Sequence, residues 1–299
     1  MLKIKIKRFL KEEDKKVAVT AGQLLSNFNK YKENKIWIIF DTETTGLLAH
    51  KRQITEIAAV AVDPENLNSE ISPDNVYHKK VNLTDETKKR IEDEKNHPEI
   101  IAKGGKSIEE ILKMTDYWKD DADRIDESDA MREFNDFINK ISTGKEVVLV
   151  AHNATFDRNF VSVRSSKYGI KALNPKTMNS LVFAREVFYP IIETVKELEL
   201  KKKIAPKGIP SFTLGSLSRT LDISNKNWHA ALADVQTLMQ AMDKMTKIVE
   251  AHKNLDVRAG YEKGIKASRR SNAFSKSSLE KVKKNEKDAE KILSKITGK

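Results

Sequence analysis

Residues 36–46, IWIIFDTETTG, constrain this chain more than any other stretch. The run 36–40 is β-branched and aromatic, which reads as a buried strand, and it leads into two carboxylates, Asp41 and Glu43, at positions i and i+2. Alternate side chains of a strand share a face, so the two acids sit side by side. Like charges at that separation raise each other's pKa and call for a cation or a shared proton. The simplest such cation is a divalent metal held by oxygen ligands. A solvent-facing Asp and Glu in a turn made by Thr44, Thr45 and Gly46 is the alternative this stretch leaves open.

The 299 residues can bury a sizeable core, and no apolar run approaches the roughly 18 residues of a membrane span. The first residues alternate lysine with apolar side chains, unlike a secretory signal, and there is no cysteine. Disulfides and thiolate metal sites are therefore excluded, and a reducing, cytoplasmic location is the expectation. The net charge of +11 is uneven: residues 1–35 carry ten Lys/Arg against four Asp/Glu, and residues 251–299 fourteen against six, which leaves the middle at −3. Basic ends on a slightly acidic body are the electrostatic footprint of a polyanion-binding protein, although a solubilising lysine tail gives the same charge.

In chain order, residues 2–7 read as a half-exposed strand, and 21–31 place Leu24, Leu25, Phe28 and Tyr31 at helical spacing. Residues 53–62 and 76–81 read as strands of an antiparallel meander, and 84–130 as charged helices and loops. Gly104, Gly105, Lys106 and Ser107 resemble part of a phosphate-binding loop, but its earlier glycine would fall on Ile100, so a plain loop is expected. A helix at 131–141 turns Phe134, Phe137, Ile138 and Ile141 to one face. The strand 146–151 then runs through His152 and Asn153 into a helix over 154–165, a βα unit whose loop lies where sites of α/β sheets are found. Residues 179–186 and 195–203 read as helical with Pro190 as a kink or break. Next come a helix with Leu214, Leu217 and Leu221 capped by Ser211 or Thr213, and an alanine-rich helix over 229–242. Beyond Glu250 a polar linker and a helix near 278–296 are expected.

The stretches FDTETTG, AHNATFD and HAALADV, in this order, resemble the three motifs of the DnaQ-like (DEDD) 3′–5′ exonuclease superfamily. The interval from His229 to Asp234, with histidine in place of tyrosine, is similar to its DEDDh branch. The resemblance covers about residues 36–248. It implies an α/β, RNase H-like fold: a mixed five-stranded sheet flanked by helices, with an exonuclease domain at 36–250 between basic extensions at 1–35 and 251–299.

The activity it implies is release of nucleoside 5′-monophosphates from a single-stranded 3′ end of DNA. Two Mg²⁺ or Mn²⁺ ions about 3.5–4 Å apart would serve this chemistry. Asp41 would bridge them, with Glu43, Asp157 and Asp234 completing the shells and His229 as general base. Residues five apart on a helix differ by about 140° and 7.5 Å in rise, so His229 is expected on the loop before the helix of Asp234 or in its first turn.

Carried over position by position, Thr44, Thr45, Gly46 and Leu47 would hold the terminal nucleotide. Asn153 would orient a phosphate or a metal-bound water, or else form an Asx turn capping the helix. Asn179, Ser180 and Leu181 stand where many relatives carry Asp-Thr-Leu. RNA or short oligoribonucleotides, a proofreading subunit docked on a DNA polymerase through 251–299, and a non-catalytic nucleic-acid binding module are the competing readings.

Overall fold

The computed structural model describes residues 19–101, 105–118, 123–171, 173, 175–195, 199–206, 208–224 and 229–263, with scattered helical positions between 277 and 294. The strand expected at 2–7 lies outside the described residues. Among those described, a six-stranded mixed sheet has the order β4-β3-β2-β1-β5-β6. Its strands are β1 (Lys35–Thr44), β2 (Ile54–Val62), β3 (Val76–Val81), β4 (Arg124–Ile125), β5 (Glu146–Ala151) and β6 (Lys176–Asn179).

The expected meander is present, since β2 pairs antiparallel with both β1 and β3. On its other side β1 runs parallel to β5, and β5 to β6. The expectation of five strands is corrected to six. The two-residue β4 is held by Lys80↔Arg124 and Val81↔Ile125 alone, too short for a periodic pattern to show.

β1 is the axis because both of its faces are covered. Trp37 and Ile39 face one core, and Ile38 and Phe40 the other. The second core is closed by α4 (Glu127–Ile141), through Phe134, Phe137 and Ile138, and by Phe160 and Val161 of α5 (Thr155–Lys167). The first is closed by α1 (Ala21–Asn29) and α10 (Ala231–Ala251). The buried stripe Val235, Leu238, Met242, Met245 and Val249 of α10 repeats every three or four residues, which is the helical period.

Four further local readings are altered or settled. Asn179 ends β6 and caps the next helix, its Oδ1 accepting from Leu181 N at 3.0 Å. Pro190 does not break the chain's course: α6 (Ser180–Phe183), a π-helical turn (Ala184–Phe188) and α7 (Tyr189–Thr194) follow without interruption. The π turn leads into the position where proline offers no amide hydrogen, and the Tyr189 amide donates to the Ala184 carbonyl five residues back. Ser107 caps α3 (Ile108–Met114) in a reciprocal capping box with Glu110, which absorbs the residue of the phosphate-loop fragment into ordinary helix capping. Thr213, not Ser211, caps α9 (Leu214–Thr220).

Both flanks of 36–250 contribute to the body. Thr20 and Asp256 form an antiparallel bridge, Ala21 N donates to Leu255 O at 3.1 Å, and Val257 N to Val19 O at 2.8 Å. Ala21, Val257 and Tyr261 are buried in the same core as α10. Gly260 permits this docking, since a Cβ there would stand 2.3 Å from the Pro190 carbonyl oxygen. Gly260→Val should therefore cost about 1–3 kcal/mol of stability, the usual penalty of overpacking, read as a lower urea midpoint. An unchanged midpoint would show that this segment does not pack on α7.

Candidate active site

The strand does not stop at the acids. β1 continues through Asp41, Thr42, Glu43 and Thr44, with Asp41 opposite Ala58 and Glu43 opposite Glu56. Asp41 and Glu43 project on the face of Trp37 and Ile39, under α10. There the packing register of α10 matters: Val235 is buried against the sheet, and Asp234 precedes it in the first turn, at the flank of the apolar stripe. One ligand oxygen from each of Asp41, Glu43 and Asp234 lies within 4.8 Å of the others.

Asp157 enters from the opposite face. It lies in the first turn of α5, is 3% exposed, and accepts hydrogen bonds from Thr42 N at 3.2 Å and Thr42 Oγ1 at 2.9 Å. The four acids thus form a trio on one face of β1 and a fourth held by the residue between Asp41 and Glu43. Burial, and next the charge of Asp157, hold Asp41 well above the ordinary carboxylate range. Glu43 is pushed up to about 8, first by burial and then by Asp234, Glu56 and Asp157. Burial raises Asp157 to about 7 against the opposing effect of the Thr42 hydrogen bonds. Carboxylates so placed retain protons near neutrality unless a cation compensates them.

His229 is exposed and lies before α10, as the spacing required, with φ +65. Asn153 is also exposed, at φ +62, in the turn between β5 and α5. Asparagine and histidine are among the residues that tolerate this left-handed region. The Asx-capping alternative for Asn153 is not what forms: the N-cap is Ala154, with no side-chain cap bond.

The residues after the acids divide in role. Thr44 Oγ1 donates to Gly46 O at 2.8 Å, while Thr45 exchanges hydrogen bonds with Gln53 through its amide and hydroxyl, so both threonines are committed to the loop itself. Gly46 has φ +151, and a Cβ there would stand 3.1 Å from the Arg52 side chain. Leu47, 57% exposed, is the one of the four that projects freely.

Three contributors were not singled out from the sequence. Thr42 alternates with the acids, so the face it presents to α5 was implicit in strand geometry. Glu56 becomes a neighbour of Glu43 only through the β1–β2 register, and its Oε1 lies 2.7 Å from His78 Nε2. His152 Nδ1 lies 3.0 Å from Ser180 Oγ, and its Nε2 2.8 Å from the Phe212 carbonyl. Burial lowers its pKa to about 4, so it is neutral and donates to that carbonyl. It pins the turn ahead of Asp157 to the start of α6 and to the loop entering α9.

Residues 38–121 match the family model described as Exonuclease (RNase_T). The DNA polymerase III PolC-type of Bacillus cereus is 27% identical over 213 residues, which is 71% of this chain and 11% of that protein. That of Bacillus subtilis (strain 168) is 26% identical over 242 residues, 79% of this chain and 14% of the other. The chain therefore spans only about a tenth of the polymerases it matches. Among solved structures, exonuclease I superposes with a TM-score of 0.50 at 16% identity, over 73% of this chain and 43% of the other, a likeness of fold. The family match, the relatives and the ordered motifs together liken the chain to the DnaQ-like 3′–5′ exonuclease superfamily, with residues 38–121 carrying the exonuclease-family match.

Proposed function

We propose that this protein is a metal-dependent 3′–5′ exonuclease acting on a single-stranded 3′ end of DNA and releasing nucleoside 5′-monophosphates. The observation that carries the reading is the convergence of Asp41, Glu43 and Asp234 within 4.8 Å, in surroundings that raise Glu43 to about 8. An all-carboxylate donor set fits hard cations such as Mg²⁺ or Mn²⁺. Asp41, Glu43, Asp157 and Asp234 would hold two such ions, which when bound neutralise charge on the scissile phosphate and lower the pKa of the attacking water.

The chain's own groups supply the rest. Thr42 holds the Asp157 carboxylate at its place beside β1. His229, at the exposed entrance to α10, accepts the proton of the attacking water as the new P–O bond forms and the bond to the 3′ oxygen breaks. Leu47 contacts the terminal nucleotide from the β1–β2 loop, and Asn153 from the β5–α5 turn. DNA is favoured over RNA by the likeness to PolC-type polymerases. The same likeness favours a second reading, a proofreading role beside a polymerase. Because Leu255, Val257 and Tyr261 pack into the body, the proposed docking segment is the basic stretch beyond 263. A chain ending at 263 should then lose polymerase in a pull-down while keeping nuclease activity.

An end-labelled degradation assay on single-stranded DNA, duplex DNA and RNA tests the main reading. Cleavage should require Mg²⁺ or Mn²⁺ and proceed from the 3′ end of single-stranded DNA. Asp41→Asn should lower kcat at least about a thousandfold, as loss of several kcal/mol of metal stabilisation implies. His229→Ala should lower it by about 10²–10⁴. Undiminished cleavage by Asp41→Asn would sink the metal-site assignment, and a strong preference for RNA would sink the choice of DNA.

The site also predicts a pH-dependent stability. Glu43 has its folded pKa raised to about 8 from 4.5, so the folded state binds more protons than the unfolded chain between those values. Stability of the metal-free protein should fall as pH rises from about 5 to 8, and Mg²⁺ or Mn²⁺ should restore it most at pH 8. Asp157, raised to about 7, acts with the same sign, whereas His152, lowered to about 4 from 6.5, opposes the fall up to about pH 6.5, so the fall should be steepest between about 6.5 and 8; Glu146 and Glu193, both depressed to about 2, also oppose it but below this window. Differential scanning calorimetry in EDTA and in metal checks this. A metal-independent melting temperature at pH 8 would count against the site.

A further inference from the structure

A groove of about 990 Å³ opens away from the acids, lined among others by Asn82, Thr84, Lys88, Trp118, Arg124 and Tyr168. Trp118 is 56% exposed there, whereas Trp37 in the core is 3% exposed. Its support is rigid. The ring meets Tyr117 edge-on, with centroids 4.9 Å apart. Tyr117 is buried, donates its hydroxyl to Val81 O at 2.9 Å, and has the Arg124 guanidinium over its ring at 4.5 Å. An exposed indole on such a base presents a fixed aromatic face to solvent.

The charges around it are largely satisfied within the protein. Lys88 pairs with Asp85 at 3.3 Å, and Asp126 accepts from Asn82 Nδ2 at 3.2 Å. Glu127 is held by buried Arg164 through two hydrogen bonds, and accepts a third from Tyr168. A neutral cleft with an indole, a phenol and an amide suits the face and edge of a nucleobase better than a phosphate.

Its position suits the same ligand. β1, β3 and β4 run in one direction, so the acids at the end of β1 and the groove at the ends of β3 and β4 share the carboxyl rim of the sheet. Two to three strand spacings of about 4.8 Å separate them, or roughly 10–14 Å. Gln53 ties the two regions together. Its carbonyl accepts from Thr45 N and its amide donates to Thr45 Oγ1 beside the acids, while its side chain donates to Asn82 O at 2.6 Å and accepts from Thr84 N at 2.9 Å.

We propose that this groove binds a base of the single-stranded substrate a few nucleotides 5′ of the terminus, stacked on Trp118. The inference rests on the exonuclease reading and adds to it a second point of purchase on the strand.

The test compares full-length wild type, Trp118→Ala and Trp118→Phe. Binding of 5′-labelled deoxyoligonucleotides from dinucleotide to dodecamer is followed by fluorescence anisotropy in EDTA. Hydrolysis of the p-nitrophenyl ester of thymidine 5′-monophosphate, which engages only the terminal site, is followed with Mn²⁺. Trp118→Ala should weaken the dodecamer by roughly five- to a hundredfold, as loss of one stacked base implies. It should leave the dinucleotide and the ester unchanged, and Trp118→Phe should recover most of the loss. Equal affinity of Trp118→Ala and wild type at every length would overturn the inference, as would a loss of the same size on the ester. If wild type binds oligonucleotides but cleaves neither them nor the ester, the catalytic reading fails while the groove is still judged by its length dependence. Absence of any oligonucleotide binding by wild type would overturn both.

Discussion

Everything in this molecule depends on a strand buried on both faces that ends in carboxylates. β1 has to satisfy two cores along most of its length, through Trp37 and Ile39 on one side and Ile38 and Phe40 on the other. The helices that cover those faces then deliver the remaining acids. α10 brings Asp234 to the face of Asp41 and Glu43, and α5 brings Asp157 to the face of Thr42. The apolar packing that stabilises the sheet therefore also sets the electrostatic problem at its end, because helices seated for burial hold like charges together. Clustering them opposes stability, a cost that a bound divalent cation would relieve.

The two sides of the site differ in how they are held. Asp41, Glu43 and Asp157 are fixed by a sheet register and by hydrogen bonds from Thr42. His152 extends that fixed half by joining the β5–α5 turn to two other segments. His229 instead stands exposed before α10, in the left-handed backbone region that histidine tolerates. The general base proposed there would adjust to substrate without disturbing the carboxylates proposed to hold metal.

The sequence was legible wherever burial and spacing repeat. The strands at 76–81 and 146–151 and the positions of Asp157, Asp234 and His229 follow from apolar runs and motif order. β4 was hidden because two residues carry no period, and β6 because its last residue doubles as a helix cap. The continuous course through Pro190 was hidden because a π turn accommodates the missing donor. Thr42 was available from strand alternation, whereas Glu56 and His152 have partners 13 or more residues away in sequence, which no local pattern reveals.

The amino-acid sequence alone determined the chemistry on offer: four carboxylates and a histidine in three ordered motifs, with no thiol among them. It determined as well that a strand, a βα turn and a late helix would carry them, since periodicity and capping are local properties. Only the tertiary structure decided which acids share a face, which threonine holds Asp157, and that residues 19–24 and 252–257 close on each other. It alone set a braced, exposed Trp118 on the same rim as the acids. These are outcomes of strand register and helix seating, which depend on contacts between segments far apart in the chain.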